Sequence, residues 1–171
     1  LAKILLRDPK ANIVLISGDG FDKFWLETLK KRWAKNFSII NERLLCTKRL
    51  PLLDFVSLCD CVDVLLDPIY FGGGNSFLES MMVGTPTVTM PGTHLKANIT
   101  AAAYKQMKIL SPPIVQNSKE YVDLAVSLAQ DRKKNYALRN ESKIAANKYL
   151  YKNLNALKEF EKFLEEAYIA A

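Results

Sequence analysis

Residues 62–90 of this 171-residue chain are VDVLLDPIYFGGGNSFLESMMVGTPTVTM. The apolar run at residues 62–67 predicts a buried strand, and a loop with three consecutive glycines follows it. A helix is predicted at residues 75–83, where Gly84 ends it, and residues 86–90 predict the next strand. A strand, a crossover helix and a second strand make one βαβ unit, which favours a parallel sheet.

The same alternation continues on both sides of this unit. Further strands are predicted at residues 12–17 and 43–47, with edge pieces at 109–110 and 114–115, and helices at 1–7, 21–36, 51–60, 95–107 and 117–130. Asn117 and Glu120 form a capping-box-like start for the last of these helices. We expect an α/β fold with a Rossmann-like open parallel sheet, helices on both faces and C-terminal helices at residues 131–171.

The composition excludes several classes of protein. Apolar residues make up 49% of the chain, enough for a sizeable core in one domain. No apolar run reaches the ~18 residues of a transmembrane helix, and no signal peptide is visible. Three cysteines argue against a disulfide framework and favour the cytoplasm, so Cys59 and Cys61 are expected to be small buried hydrophobic residues. The start within a predicted helix suggests a piece of a longer protein.

The net charge of +6 raises the question of nucleic-acid binding. Residues 61–115 carry three basic and three acidic side chains, so the surplus lies in the flanking segments. The basic runs at residues 30–32 and 132–134 are expected to be solvated helix faces. Nucleic-acid binding is therefore the weaker hypothesis.

The loop after the strand at residues 62–67 carries the residue types best suited to bind an anion. Glycines at 72–74 permit close backbone approach, and the first N–H groups of the next helix are unpaired. Asn75 and Ser76 add side-chain donors, so the loop suits a diphosphate. Glu79, one helical turn further on, is placed to accept hydrogen bonds from a ribose diol. Ligands of open α/β sheets bind at this end of the strands.

Each of these residues also has an ordinary structural interpretation. Three glycines after a strand are often a flexible turn, and Asn75 or Ser76 is typical of a helix N-cap. Glu79 is equally compatible with a solvated helix position. Phe160, Phe163 and Tyr168 have helical spacing, which favours core packing over a stacking platform for a ligand.

A longer run resembles a known family. Phe71-Gly-Gly-Gly-Asn-Ser-Phe-Leu-Glu79 and, four residues later, Gly84-Thr-Pro-Thr-Val-Thr-Met-Pro-Gly92 are similar to the protein O-linked N-acetylglucosamine transferase and SPINDLY-like family. The likeness extends to residues 60–67, 103–107 and 120–125. It implies the C-terminal, nucleotide-sugar-binding half of an inverting GT-B glycosyltransferase, with residues 1–130 as the Rossmann-like domain and residues 131–171 packed on it.

The resemblance also implies a role for each residue of the site. The diphosphate of a UDP-sugar would be contacted by Gly73, Gly74, Asn75, Ser76 and Lys96. Glu79 would hold the ribose, and the loop after the second strand would contact the base through Arg49 and Leu50. Pro91, Gly92 and His94 would border the sugar pocket, although a surface or loop histidine is the favoured interpretation of His94.

Two departures from the family pattern stand out. Gly74 occupies the position of a histidine in the animal enzyme, and after the Pro-Gly turn only Lys96 keeps a cationic role. The family's diphosphate-binding lysine belongs to a strand that would precede Leu1. The N-terminal catalytic half and the repeat region that presents the acceptor protein would also lie outside this sequence.

The leading hypothesis is transfer of a sugar such as N-acetylglucosamine from a UDP-sugar to Ser or Thr of a protein. We expect no metal and no cofactor, because Asp67 and Glu79 do not form a metal-binding cluster. We expect this piece alone to be inactive and not to bind membranes. The alternative is a non-catalytic nucleotide-binding or interaction module derived from the same family.

Overall fold

The computed structural model describes residues 1–18 and 22–170. Its helices are α1 (Ala2–Arg7), α2 (Asp22–Phe37), α3 (Leu52–Cys61), α4 (Asn75–Ser80), α5 (Ile99–Met107), α6 (Ser118–Gln130), α7 (Arg132–Tyr149) and α8 (Leu154–Ile169). Its strands are β1 (Ile13–Ile16), β2 (Leu44–Thr47), β3 (Leu65–Leu66) and β4 (Thr87–Val88). Short 3-10 helices span Ser38–Arg43 and Leu95–Ala97.

Every strand pair in the described residues is parallel. β1 pairs with β2 from Ile13 opposite Leu44 onward, and β3 pairs with β4, with Leu65 opposite Thr87. A parallel bridge then joins Thr89 to Ile114, where an edge piece was predicted. Parallel strands connected through helices confirm the predicted Rossmann-like α/β class.

The pair formed by β3 and β4 is shorter than the apolar pattern predicts. Six residues were expected in the strand at 62–67, but only β3 is paired as a strand. Val62 is extended but still closes α3, because its N–H donates to Leu58 O and is not free for a neighbouring strand. Pro86 has no N–H to donate, although its carbonyl accepts from the Leu65 N–H at 2.8 Å.

Helix boundaries follow local capping signals. α4 ends at Ser80, earlier than expected, and continues as turns to Gly84, whose φ of +74° reverses the chain. α6 begins as predicted, with the Asn117 side chain accepting from the Lys119 and Glu120 N–H groups. The Glu120 carboxylate in turn accepts from the Gln116 N–H at 2.9 Å.

Two apolar clusters form the core. The larger one surrounds Phe77, Met81, Val88 and Tyr104, with the Phe77 and Tyr104 rings edge to face at 5.2 Å. The smaller one contains Leu5, Ile13, Trp33 and Leu44. Leu66 of β3 packs against both clusters, so the two parallel pairs share their interior.

The apolar face predicted for α2 is only partly buried. Trp33 is buried and Leu29 packs against the smaller cluster, as predicted. Phe24 and Trp25 are instead exposed and contact each other, with their ring centroids 5.2 Å apart. Phe21 lies outside the described residues. The basic run at residues 132–134 is exposed, as expected.

Two further burial predictions are wrong. Phe160, Phe163 and Tyr168 lie on α8, which buries none of its residues, because no described element covers its apolar face. Cys61, the last residue of α3, is exposed, whereas Cys59 is buried as expected. α7, by contrast, packs against α5 and α6 and buries Leu138 and Ala146.

In the described part of the chain, no helix has the length and apolarity needed to cross a membrane.

Candidate functional site

Two loops meet at the carboxyl ends of β3 and β4. We call residues 67–74 the glycine loop and residues 89–98 the second loop. The Gly72 N–H donates to Lys96 O at 2.8 Å and so joins them. Asn98 closes the second loop, since its side-chain amide donates to Gly92 O and His94 O at 2.8 and 2.9 Å. The structure therefore brings the predicted diphosphate and sugar-pocket residues into one region.

Asp67 is the first residue of the glycine loop, and its side chain lies against the glycines. Its carboxylate accepts a hydrogen bond from the Gly73 N–H at 2.7 Å and, through the other oxygen, from Thr89 Oγ at 2.6 Å. Its main-chain carbonyl accepts from the Tyr121 hydroxyl of α6 at 2.8 Å. Asp67 is 5% exposed, so these bonds tie the glycine loop to Thr89, at the start of the second loop, and to α6 in a nearly dry environment.

The backbone N–H groups of the loop divide into two sets. Gly72 and Gly73 donate within the protein, to Lys96 O and to Asp67. Those of Gly74, Asn75 and Ser76 donate to no acceptor in the described residues. Gly73 is therefore a poor candidate for a backbone bond to phosphate, whereas the next three residues keep their donors.

The three glycines differ in what surrounds them. A Cβ on Gly72 would lie 3.0 and 3.2 Å from the Asp67 carboxylate oxygens, and one on Gly73 would lie 3.2 Å from Ser76 Oγ. A Cβ on Gly74 would meet nothing within 4 Å. Close packing thus requires the first two glycines, while Gly74 faces open space. A freely flexible turn does not account for this arrangement.

Glu79 and the donor side chains occupy α4. Asn75 and Ser76 are exposed, and Glu79 is half-buried with no hydrogen bond or ion pair to a described residue. Its negative charge contributes, after burial, to raising the pKa of the Cys59 thiol to about 11. The carboxylate is thus free to accept hydrogen bonds from a ligand, as the ribose assignment requires.

The second loop supplies a cation and an aromatic ring. Lys96 Nζ lies over the Phe71 ring, 5.8 Å from its centroid, so the two loops also meet through their side chains. His94 is exposed, and Pro91 is half-buried beside it. Tyr70, Phe71 and Leu95 are exposed around the same region.

The predicted base-binding residues follow β2, which belongs to the other pair of parallel strands. Arg49 and Leu50 follow β2, whose last residue Thr47 accepts a hydrogen bond from the Ser17 N–H at 3.0 Å. Arg49 is exposed and Leu50 is half-buried. They sit after the carboxyl end of a parallel strand, and their contact with a base stays a prediction.

Sequence reasoning missed the supports of the glycine loop. Asp67 was noted only as a carboxylate that does not help to form a metal site, and Thr89 and Tyr121 were given no role. A polar residue directly after an apolar strand was the available signal for Asp67. Its partners are 22 and 54 residues away in sequence, so no local pattern shows them. Among the described side chains, no group of three His, Cys, Asp or Glu could hold a metal.

Comparison with known proteins decides the family. The sequence profile of glycosyl transferase family 41 matches residues 3–160, which include both loops and α4. The chain belongs to glycosyl transferase family 41.

Plant proteins are similar to this chain over most of its length. The rice protein called "Probable UDP-N-acetylglucosamine--peptide N-acetylglucosaminyltransferase SPINDLY" (Oryza sativa subsp. japonica) is 25% identical over 134 residues. The tomato protein of the same name (Solanum lycopersicum) is 28% identical over 137 residues. In both cases the match covers 76% of this chain and 14% of the relative.

A solved structure from the same family agrees with the fold. The K341M mutant of Thermobaculum terrenum O-GlcNAc transferase superposes with a TM-score of 0.80 at 26% identity. The superposition covers 98% of this chain and 31% of the solved chain. This family 41 chain thus spans less than a third of the length of these similar proteins.

Proposed function

We propose that this chain is the nucleotide-sugar-binding part of an inverting glycosyltransferase that uses a UDP-sugar. The transfer would be of N-acetylglucosamine to a protein, as the names of the SPINDLY relatives suggest, and we propose Ser or Thr as the accepting residue. The observation that carries the proposal is the family 41 match across a glycine loop that leaves three consecutive N–H donors unused. The acceptor protein would bind outside these residues.

In this proposal the chain acts on the leaving group. When an acceptor hydroxyl attacks the anomeric carbon, the bond to the UDP diphosphate breaks and negative charge grows on the phosphate oxygens. The N–H groups of Gly74, Asn75 and Ser76, with the Ser76 hydroxyl and Lys96, would stabilise that charge. Removing one such donor typically raises a barrier by about 2–4 kcal/mol.

Glu79 would fix the orientation of the nucleotide. A carboxylate accepts two hydrogen bonds and so matches the two adjacent hydroxyls of a ribose. Glu79 and a diphosphate are both negatively charged and repel each other. The distance along α4 between Glu79 and the free N–H groups therefore suits two separate subsites. Lys96, held over Phe71, would stay close to the diphosphate subsite.

Binding is tested by titrating UDP into the chain and into two glutamate variants. Glu79→Ala should weaken UDP binding by about tenfold, the loss of one or two hydrogen bonds to a charged group. Glu161→Ala, a substitution on exposed α8, should bind as the wild type does. No UDP response from the wild type would contradict the proposal, and equal binding by Glu79→Ala would remove the ribose assignment alone.

Transfer is tested with the longer protein that contains this segment. Incubated with UDP-N-acetylglucosamine and candidate acceptors, it should add one N-acetylhexosamine mass to a Ser or Thr. UDP binding without transfer to any acceptor would instead support the non-catalytic module. Gly74 and Asn98, the departures from the pattern that the resemblance implies, motivate that second candidate.

A further inference from the structure

The carboxylate of Asp67, the first residue of the glycine loop, is buried against the glycines of that loop. Its two oxygens accept from different partners, Oδ1 from the Gly73 N–H and Oδ2 from Thr89 Oγ. Neither a lysine nor an arginine of the described chain forms an ion pair with it. Two hydrogen bonds from neutral donors therefore hold a buried carboxylate that is 5% exposed.

The bond from Gly73 to Asp67 marks the boundary between loop N–H groups that have an acceptor in the described residues and those that have none. The Gly73 N–H donates to Asp67, and the next three N–H groups find no acceptor among the described residues. Gly72 lies so close to the carboxylate that an added Cβ would meet both oxygens within 3.2 Å. Its own N–H is held by Lys96 O at 2.8 Å. Gly72 and Gly73 are thereby both held in place.

We propose that Asp67 is a positioning residue for the nucleotide diphosphate, holding the glycine loop so that the N–H groups of Gly74, Asn75 and Ser76 point to one anion. This inference rests on the proposed function. Thr89 acts through Asp67, since its hydroxyl fixes the second carboxylate oxygen. The Tyr121 hydroxyl fixes the main chain of the same residue from α6.

Two threonines of one segment provide a matched test. Thr85 and Thr89 are 0% and 1% exposed, and each hydroxyl donates one hydrogen bond of 2.6 Å. Thr85 donates to the Cys59 carbonyl, away from the loop, and accepts from Arg139, while Thr89 donates to Asp67. Val replaces either with a side chain of similar shape. Loss of stability is expected in both variants, but loss of UDP affinity only in Thr89→Val.

Asp67 variants test the loop directly. In Asp67→Ala, Gly73 loses its acceptor, and UDP should bind at least about tenfold more weakly. Asp67→Asn keeps an oxygen for the Gly73 N–H, and its amide can donate to Thr89 Oγ, so part of the affinity should return. The amide proton of Gly73 reports this bond without ligand, and its NMR resonance should move upfield in Asp67→Ala more than in Asp67→Asn.

The deciding experiment measures UDP dissociation constants by calorimetry for the wild type and the Asp67 and Thr variants. Their folding is checked by circular dichroism and by the NMR spectrum. Weak binding by Asp67→Ala and Thr89→Val beside wild-type binding by Thr85→Val is the expected pattern. Wild-type affinity in folded Asp67→Ala, or equal losses in the two Thr variants, would overturn the positioning role and leave the proposed function standing. A wild type that does not bind UDP would overturn both.

Discussion

Gly84 and Gly74 flank α4 and show how differently two glycines of one segment are constrained. Gly84 has a φ of +74°, and a Cβ there would lie 2.1 Å from Arg139 O on α7. Gly74 has a negative φ and open space around it. The glycine at 84 is therefore required by the fold, and the one at 74 is not required by packing.

Gly84→Ala should lower the free energy of unfolding by more than about 1 kcal/mol, since alanine is strained at positive φ and would meet α7. Gly74→Ala is the matched control and should cost less. Urea unfolding followed by circular dichroism measures both variants. A loss in Gly74→Ala as large as that in Gly84→Ala would contradict the open surroundings of Gly74.

Cys59 gives a second prediction for a single residue. Burial, followed by the charge of Glu79, raises the pKa of its thiol from 9.0 to about 11, while Cys46 and Cys61 are exposed. Thiolate is the reactive form, so near pH 8 a thiol reagent should label the two exposed cysteines quickly and Cys59 only after unfolding. Mass spectrometry of the labelled protein counts them.

The same shift has a consequence at high pH. Above pH 9 the Cys59 thiol ionises in the unfolded chain but stays protonated in the folded one, so its contribution to stability falls as pH rises toward 11. In the labelling experiment near pH 8, rapid reaction of all three cysteines in the native protein would contradict the burial of Cys59.

At the scale of elements, α4 and α8 each present an apolar face, and only that of α4 is covered. Phe77 of α4 is 3% exposed and contacts Tyr104, whereas Phe160 of α8 is 58% exposed. Phe77→Ala should lower the free energy of unfolding by about 3–5 kcal/mol. Phe160→Ala should change it by less than about 0.5 kcal/mol. Chemical unfolding of both variants checks the pair, and comparable losses would mean that α8 packs on the core.

The sequence predicted the elements well because each has a local signal. Periodic apolar residues, Pro51 before α3 and the Asn117 cap of α6 act within a few residues of the chain. Strand length and burial depend on distant neighbours instead. β3 is short because the Val62 N–H still closes α3 and because Pro86, before β4, has no N–H to donate. The apolar spacing of α8 indicates an apolar face but does not indicate which element covers it.

The candidate site was predictable in part for the same reason. The glycine loop, Asn75, Ser76 and Glu79 are contiguous, so spacing and resemblance located them together. Asp67, Thr89 and Tyr121 come from three separate segments, and only the fold brings them together. The division of loop N–H groups between Gly73 and Gly74 also required the structure.

On the scale of the whole molecule, the distribution of charge matters more than the net charge of +6. Between residues 61 and 115, which hold both loops, basic and acidic side chains are equal in number. We expect no measurable DNA or RNA binding at physiological salt by fluorescence anisotropy. Micromolar affinity that falls steeply as salt rises would contradict this and support a nucleic-acid partner.

We propose that the glycine loop binds a nucleotide diphosphate through backbone N–H groups that have no acceptor among the described residues. A titration of UDP, with uridine in parallel, monitored by the amide resonances of the chain, tests this binding. UDP should shift the Gly74, Asn75 and Ser76 amides most and uridine much less, since uridine has no phosphate. UDP shifts that spare these three amides, or equal effects of UDP and uridine, would contradict the account.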